Sequence, residues 1–272
     1  VAHYGVPVKP SGVVPVPAAT LVLLRDRPAG GFDILLMRRH AKSKFAAGDY
    51  VFPGGKLTAD DNPPDAVRWC AGLDAAGAAA ALALDDPSLA VAHWIGAIRE
   101  TFEEVGVLLA TAADGGPLRV SAERLAACRL ACQADNRAFW DLVKQEGLRL
   151  ATDRLVYFAH WITPDVQPLR FDTRFFAASM PADQTATGDG KEVTELRWLT
   201  PGEALDAATR GEISLRNPTI KNLMLFTEAA SGRAALDRLH GRTVTTVRPR
   251  VIFLPDGTRQ VLHPGDPGYD SA

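Results

Sequence analysis

Three glutamates, Glu100, Glu103 and Glu104, carry the most specific chemical signal in this 272-residue chain. Wound into a helix at roughly 100° per residue, the stretch Gly96 to Val107 puts their carboxylates on one face and Ile95, Ile98, Phe102 and Val105 on the other. Like charges held so close repel one another, and the arrangement becomes favourable when a hard divalent cation sits among the oxygens. A solvated acidic face on an amphipathic helix has the same spacing, so the pattern alone leaves both readings open. Ahead of this helix, Arg38, Arg39, Lys42 and Lys44 concentrate positive charge just before a glycine pair, Gly54-Gly55. Such a run is often only a solvated loop, and its position is what makes it interesting.

The elements that must position these groups are legible in outline. Val1 to Thr20 carries four prolines and reads as an extended surface arm. Ala18–Arg25 and Phe32–Arg39 read as neighbouring antiparallel strands across a glycine-containing loop. Asp65–Leu84 is alanine-rich and predicts a helix weakened by Gly72 and Gly77. Asp85-Asp86-Pro87-Ser88 supplies a break with capping residues, the glutamate helix starts near Leu89, and Gly106 is placed to stop it. Ser121–Glu146 predicts a second helical region. Leu155–Ile162 and Phe171–Ser179 predict strands, and Val193–Leu199 alternates so that Val193, Glu195 and Arg197 share one face and Glu192, Thr194, Leu196 and Trp198 the other. Thr200-Pro201 opens a helix, Leu215–Thr219 begins another, and Arg248–His263 reads as a hairpin turned at Pro255–Thr258.

Composition bounds the partners. With 47% hydrophobic and 23% charged residues and a net charge of −2, the chain has no general attraction to nucleic acid or membrane, so an acidic ligand needs a local basic cluster. Three cysteines in no metal or disulfide spacing point to a reducing, cytoplasmic setting, and Cys128 and Cys132 read as small buried residues. No apolar run approaches a membrane span. The chain lacks a Walker A loop, a GxSxG elbow, HExxH and a dinucleotide GxGxxG. His93 reads as structural.

Arg99-Glu100-Thr101-Phe102-Glu103-Glu104-Val105-Gly106-Val107 resembles the second half of the Nudix box, Arg-Glu-apolar-x-Glu-Glu-x-Gly-apolar, departing only at Thr101. Phe52-Pro53-Gly54-Gly55-Lys56 resembles its upstream half, and Asp61 stands where the box has a glutamate. Gly55 and Arg99 are 44 positions apart (99 − 55), so a long insertion interrupts the box. Leu35-Leu36, Gly48 and Phe52–Gly55 stand in register with the extra signature of the coenzyme A diphosphatase branch. Lys44 occupies its arginine slot, while Met37, Arg39 and His40 depart from its Thr and Ser positions. Arg170-Phe171-Asp172-Thr173-Arg174-Phe175-Phe176 is similar to a segment of the animal peroxisomal enzymes of that branch, which carry the same insertion.

The resemblance implies an α/β fold, a Nudix α/β/α sandwich with a mixed sheet. It would form one domain over 1–272, with helical insertions at about 62–90 and 114–150. It implies Mg²⁺ or Mn²⁺ held by Glu100, Glu103 and Glu104, carboxylates oriented by Arg99, and a diphosphate approached by the Gly54-Gly55 backbone. Glu103 and Glu192 are the two candidates for the base that activates water. Arg38, Arg39 and Lys44 are the candidate contacts to the substrate phosphates, and Phe45 or Tyr50 could stack on a base. The implied substrate is coenzyme A or acyl-coenzyme A, cleaved to 3′,5′-ADP and 4′-phosphopantetheine. The alternatives are ADP-ribose, NADH or a nucleotide sugar, and a nucleotide-sensing module without catalysis. The oligomeric state is not legible, and a homodimer stands as a candidate.

Overall fold

A computed structural model describes residues 6–7, 10–43 and 46–271. Its centre is an eight-stranded mixed sheet whose main path runs Val193–Leu199, Phe32–Arg39, Val16–Asp26, Phe171–Ser179, Val156–Ile162 and Thr246–Val247. Val16–Asp26 is parallel to Phe171–Ser179, and Thr246–Val247 is parallel to Val156–Ile162; the other neighbours on this path are antiparallel. Alternation gives the sheet two apolar faces. Leu21, Leu23, Leu35, Met37 and Phe176 point one way, and Val22, Leu24, Ile34, Leu36 and Phe175 the other. Helices α1 (Ala75–Leu82), α2 (Pro87–Val105), α3 (Ala122–Ala134) and α4 (Arg137–Gln145) cover the first face. Helices α5 (Pro201–Thr209), α6 (Asn217–Met224) and α7 (Gly232–Leu239) cover the second, giving the expected helix–sheet–helix sandwich.

Helix α2 is the long element of the first face. Asp86 caps it by accepting from Ser88 N at 2.9 Å and Leu89 N at 3.3 Å, and Pro87 occupies the first turn. Gly106 takes φ +73° and ends it, a conformation that glycine adopts without a steric penalty. Ile95, Ile98, Phe102 and Val105 are all fully buried.

The sheet splits where the glycine loop enters. Phe32–Arg39 pairs with Val16–Asp26 only from Phe32 to Ile34. Beyond that point Tyr50–Lys56 fills the gap, with Tyr50–Val51 against Arg38–Met37 and Gly54–Lys56 against Thr20–Ala18. Leu21 N donates to Pro53 O at 2.8 Å. The loop is therefore fixed by backbone hydrogen bonds at the level of the sheet, alongside α2.

Four expectations are corrected. Residues Val16 to Thr20 belong to the central strand and not to a surface arm. Asp65–Leu84 is a 3-10 turn, Ala66–Trp69, followed by α1; the break falls at Gly72, which has φ +61°. Ser121–Glu146 is two helices, because the Asp135 carboxylate takes the Arg137 N–H and interrupts the run. A bulge between Val193 and Glu195 breaks the strict alternation, so Val193 joins Leu196 and Trp198 in the α2-side core. Among the described residues no single helix is long and apolar enough to cross a membrane; α1 and α2 together are apolar enough but bend by 85° between them.

Candidate active site

The two halves of the box meet around Arg99. This side chain is 2% exposed; Nε donates to Asp61 Oδ1 at 2.6 Å, and Nη2 reaches Asp61 Oδ2 and Lys56 O, both at 3.1 Å. It also pairs with Glu100 Oε1 at 2.9 Å and Glu103 Oε2 at 3.1 Å. One guanidinium thus locks the glycine loop to α2 and orients two of the three glutamates. Burial alone would lower its pKa, but the hydrogen bond to Asp61 and the charges of Glu100, Asp61 and Glu103 more than reverse this, so it stays charged. Glu104 Oε2 accepts the Gly54 N–H at 2.7 Å. A Cβ at Gly55 would stand 2.6 Å from the Glu100 carboxyl carbon, and one at Gly54 2.6 Å from Thr20 Cα. Both glycines are required by close approach, Gly55 to the acidic face itself. Thr101, in an otherwise apolar slot, is buried with its hydroxyl donating to Ala97 O at 2.7 Å, which removes the cost of its polar atom.

The glutamates are poorly compensated as they stand. Burial, and then the charge of Glu103 against the pull of Arg99, push Glu100 up to about 7. Burial and the charge of Glu100 raise Glu104 well above the usual carboxylate range, and burial raises Glu103. Glu103 Oε1 is buried without any hydrogen-bond partner. An orphaned carboxylate oxygen among all-oxygen donors fits a hard divalent cation, and Glu100, Glu103 and Glu104 are the residues that would hold it. Among the described residues no three acidic, His or Cys side chains already stand at ligating separation, so Glu100 and Glu103 would turn from Arg99 to bind it. A carboxyl that holds its proton more tightly when folded weakens the fold as pH rises from its unfolded to its folded value. The metal-free protein is therefore expected to lose melting temperature between pH 4.5 and about 7, and saturating Mg²⁺ is expected to abolish that loss. Thermal denaturation at four pH values, with EDTA or Mg²⁺, checks this.

The remaining sequence candidates divide. Arg39 lies on the glutamate side, Nη1 3.7 Å from Glu104 Oε1, and its Nε is buried without a partner. Arg38 faces the other way, 3.9 Å from Glu195 Oε2, and is not brought to the glutamates, because neighbouring strand residues point to opposite faces. Tyr50 is 3% exposed with its hydroxyl donating to Glu195 at 2.6 Å, so it is committed to the protein and not free to stack on a base. Lys44 and Phe45 lie outside the described residues. Glu192 is exposed, and its charge adds to the upward push on Glu103 and Glu104. His93 is fully buried, with Nδ1 3.1 Å from Leu89 O and Nε2 3.2 Å from Arg174 Nη1, a structural role as read from the sequence.

Three supports were not legible. Arg129 of α3 donates through Nε to Glu103 O at 2.9 Å and through Nη2 to Glu104 O at 2.6 Å, and Gln133 donates to Glu103 O at 2.8 Å. These are the free carbonyls at the C-terminal end of α2, where a cation is favoured. Trp140 of α4 donates to Asp60 O at 2.6 Å, beside Asp61. Helices α3 and α4 thus buttress the site from behind, and no sequence motif announces it because the contacts are to backbone oxygens. Arg129→Met is expected to cost about 2 kcal/mol of stability and to weaken Mn²⁺ binding severalfold, read by chemical denaturation and titration calorimetry.

A glycine loop seated on the acidic face of an Arg-Glu helix, above a mixed sheet between two helical layers, defines a Nudix hydrolase. A NUDIX hydrolase from Alicyclobacillus acidocaldarius has the same architecture, with a TM-score of 0.70 at 25% identity over 86% of this chain and 100% of that one. Residues 13–225 match the family model for the NUDT19 Nudix domain, and the chain belongs to this family. Acyl-coenzyme A diphosphatase NUDT19 of Homo sapiens is 30% identical over 286 residues, covering 90% of this chain and 74% of that protein. Its Xenopus laevis counterpart is 30% identical over 206 residues, covering 64% of this chain and 54% of that protein. The chain thus spans about half the length of the Xenopus relative.

Proposed function

We propose that this chain is a Mg²⁺- or Mn²⁺-dependent pyrophosphohydrolase acting on coenzyme A or acyl-coenzyme A. The observation that carries the reaction class is the cluster Glu100, Glu103 and Glu104, with an orphaned Glu103 oxygen, closed against Gly54-Gly55 by Arg99. The substrate class is supported by the name of the NUDT19 relatives and by the Leu35-to-Gly55 signature. When bound, the metal shields the phosphoryl oxygens and lowers the pKa of water. Arg99 locks the glycine loop to the glutamate helix through Asp61 and Lys56 O, and the Gly54-Gly55 backbone permits close approach of the diphosphate. Arg39, whose Nε has no hydrogen-bond partner, is the proposed contact to a phosphate oxygen. The proton of the attacking water passes to Glu103 or Glu192. One P–O bond forms to the water oxygen and the bridging P–O bond breaks, leaving 3′,5′-ADP and 4′-phosphopantetheine, which keeps its acyl group when the substrate is an acyl-coenzyme A.

The test is product identification by mass spectrometry after incubation with Mg²⁺ and coenzyme A, acetyl-coenzyme A, NADH, ADP-ribose or a nucleotide sugar. Adenosine bisphosphate and phosphopantetheine from the coenzyme A samples support the reading; cleavage of the other compounds alone removes the substrate assignment. Lys44 supplies the charge for the 3′-phosphate in this proposal. Lys44→Ala is expected to raise KM for coenzyme A about tenfold, the scale of one lost charge-assisted contact, and to leave KM for the 3′-dephosphorylated compound unchanged. Equal effects on both would remove that role.

A further inference from the structure

The segment Arg170–Phe176, singled out in the sequence and unused by the glutamate site, leads to a largely apolar cavity with a few polar groups. It measures about 490 Å³ and lies beside the N-terminal half of α2, walled by Trp94, Leu82 and Leu155 together with His160, Arg174 and Arg242. Its size suits a small ligand. It shares no lining residue with the glycine loop or the glutamates, and Trp94 precedes Glu100 by about 9 Å along the helix axis.

Arg174 is 4% exposed. Its Nη1 donates to Asp172 Oδ1 at 2.6 Å and lies 3.2 Å from His93 Nε2. Its Nε has no partner, and among the described residues Nη2 makes no hydrogen bond. The unused Nε–Nη2 edge is the planar fork that grips two oxygens of one carboxylate or phosphate. Trp94, 6% exposed, also has its indole Nε1 buried without an acceptor. Trp94 and Arg174 both line this cavity, each carries a buried donor without an acceptor, and an unsatisfied buried donor costs roughly 1–3 kcal/mol until an acceptor arrives. Asp172 does not serve as that acceptor, since Oδ1 is shared between Arg174 and His160 Nε2 at 2.6 Å, while His160 Nδ1 is tied to Thr246 Oγ1 at 2.8 Å. Arg242, exposed, adds a second guanidinium to the lining.

We propose that this cavity binds an organic oxyanion, a carboxylate or a phosphate monoester, on the Nε–Nη2 edge of Arg174 and the indole N–H of Trp94. Leu82, Leu155 and Val156 contact its apolar body. The binding is independent of the glutamate site and needs no metal.

The test uses the full chain in EDTA, with phenyl phosphate and octanoate as probes. The chain has five tryptophans, so the Trp94 indole N–H resonance is assigned by its loss in Trp94→Phe. One or both probes are expected to move that resonance saturably, and Arg174→Lys, which keeps the charge and loses the fork, is expected to weaken the affinity about tenfold. A response to phenyl phosphate alone assigns a phosphate ester, and a response to octanoate alone a carboxylate. No saturable movement with either probe, or an affinity unchanged by Arg174→Lys, overturns the proposal. Should Arg174→Lys fail to fold, calorimetry on Trp94→Phe decides instead, with a severalfold loss expected and an unchanged affinity overturning it. No turnover is read and no metal is present, so failure here leaves the proposed hydrolysis untouched.

Discussion

Glu104→Gln is expected to abolish most turnover while leaving the metal-free fold as stable as before, or more so. Burial and the neighbouring Glu100 charge hold Glu104 far above its ordinary pKa, so its negative charge is a burden that only a cation relieves. A glutamine keeps the shape and can still accept the Gly54 N–H through Oε1, but it removes one anionic donor from the metal site. Losing metal stabilisation worth several kcal/mol corresponds to roughly a thousandfold in rate. Steady-state kinetics at saturating Mg²⁺, with melting curves in EDTA, check both halves. Retained turnover with normal metal dependence would sink the site assignment, and a collapse in metal-free stability would sink the electrostatic account of it.

The second large effect falls on Arg99 and Asp61, and it is a loss of the fold's own stability. Both side chains are essentially removed from water, at 2% and 0% exposure. Breaking a buried pair by removing one member leaves the other uncompensated, at a cost of about 3–5 kcal/mol. Asp61→Ala and Arg99→Met are therefore each expected to lower the melting temperature by about 10 °C. The two differ in what rescues them. Arg99→Met leaves Asp61, Glu100 and Glu103 facing one another without their cation, and Mg²⁺ should recover much of the loss. Asp61→Ala leaves Arg99 with two glutamates still attached, and Mg²⁺ should recover little because it competes for those same glutamates. Melting curves with and without Mg²⁺ separate these outcomes; equal recovery in both variants would mean that Arg99 does not neutralise the cluster.

Much of this site was legible because it is built from local periodicity. The spacing of Glu100, Glu103 and Glu104 fixes their common helical face whatever surrounds it, and the helix-ending Gly106 was equally readable. Arg38 shows the limit. Charge density put it with Arg39, but strand alternation sends the two to opposite faces, and only the register against Val193–Leu199 shows which one looks at the glutamates. Glu192 shares that limit, since the bulge after Val193 resets the facing of its strand. Arg129 and Trp140 left no trace in the sequence, because a side chain donating to a backbone carbonyl places no demand on the identity of the residue it meets.

By itself, then, the sequence carried the family resemblance in its motifs, and it determined the strands and helices with strong periodicity and the carboxylate face of α2, which depend on interactions within a few residues. The tertiary structure decided how an interrupted box becomes one site. Closing a loop costs entropy that grows only with the logarithm of its length, so the long insertion between Gly55 and Arg99 is tolerable, and the buried Asp61–Arg99 pair and the Gly54–Glu104 hydrogen bond hold its ends together. It also decided that α3 and α4 brace α2 from behind, and that Arg174 and Trp94, eighty positions apart (174 − 94), line one cavity. Those juxtapositions depend on long-range packing, which no local pattern in the chain encodes.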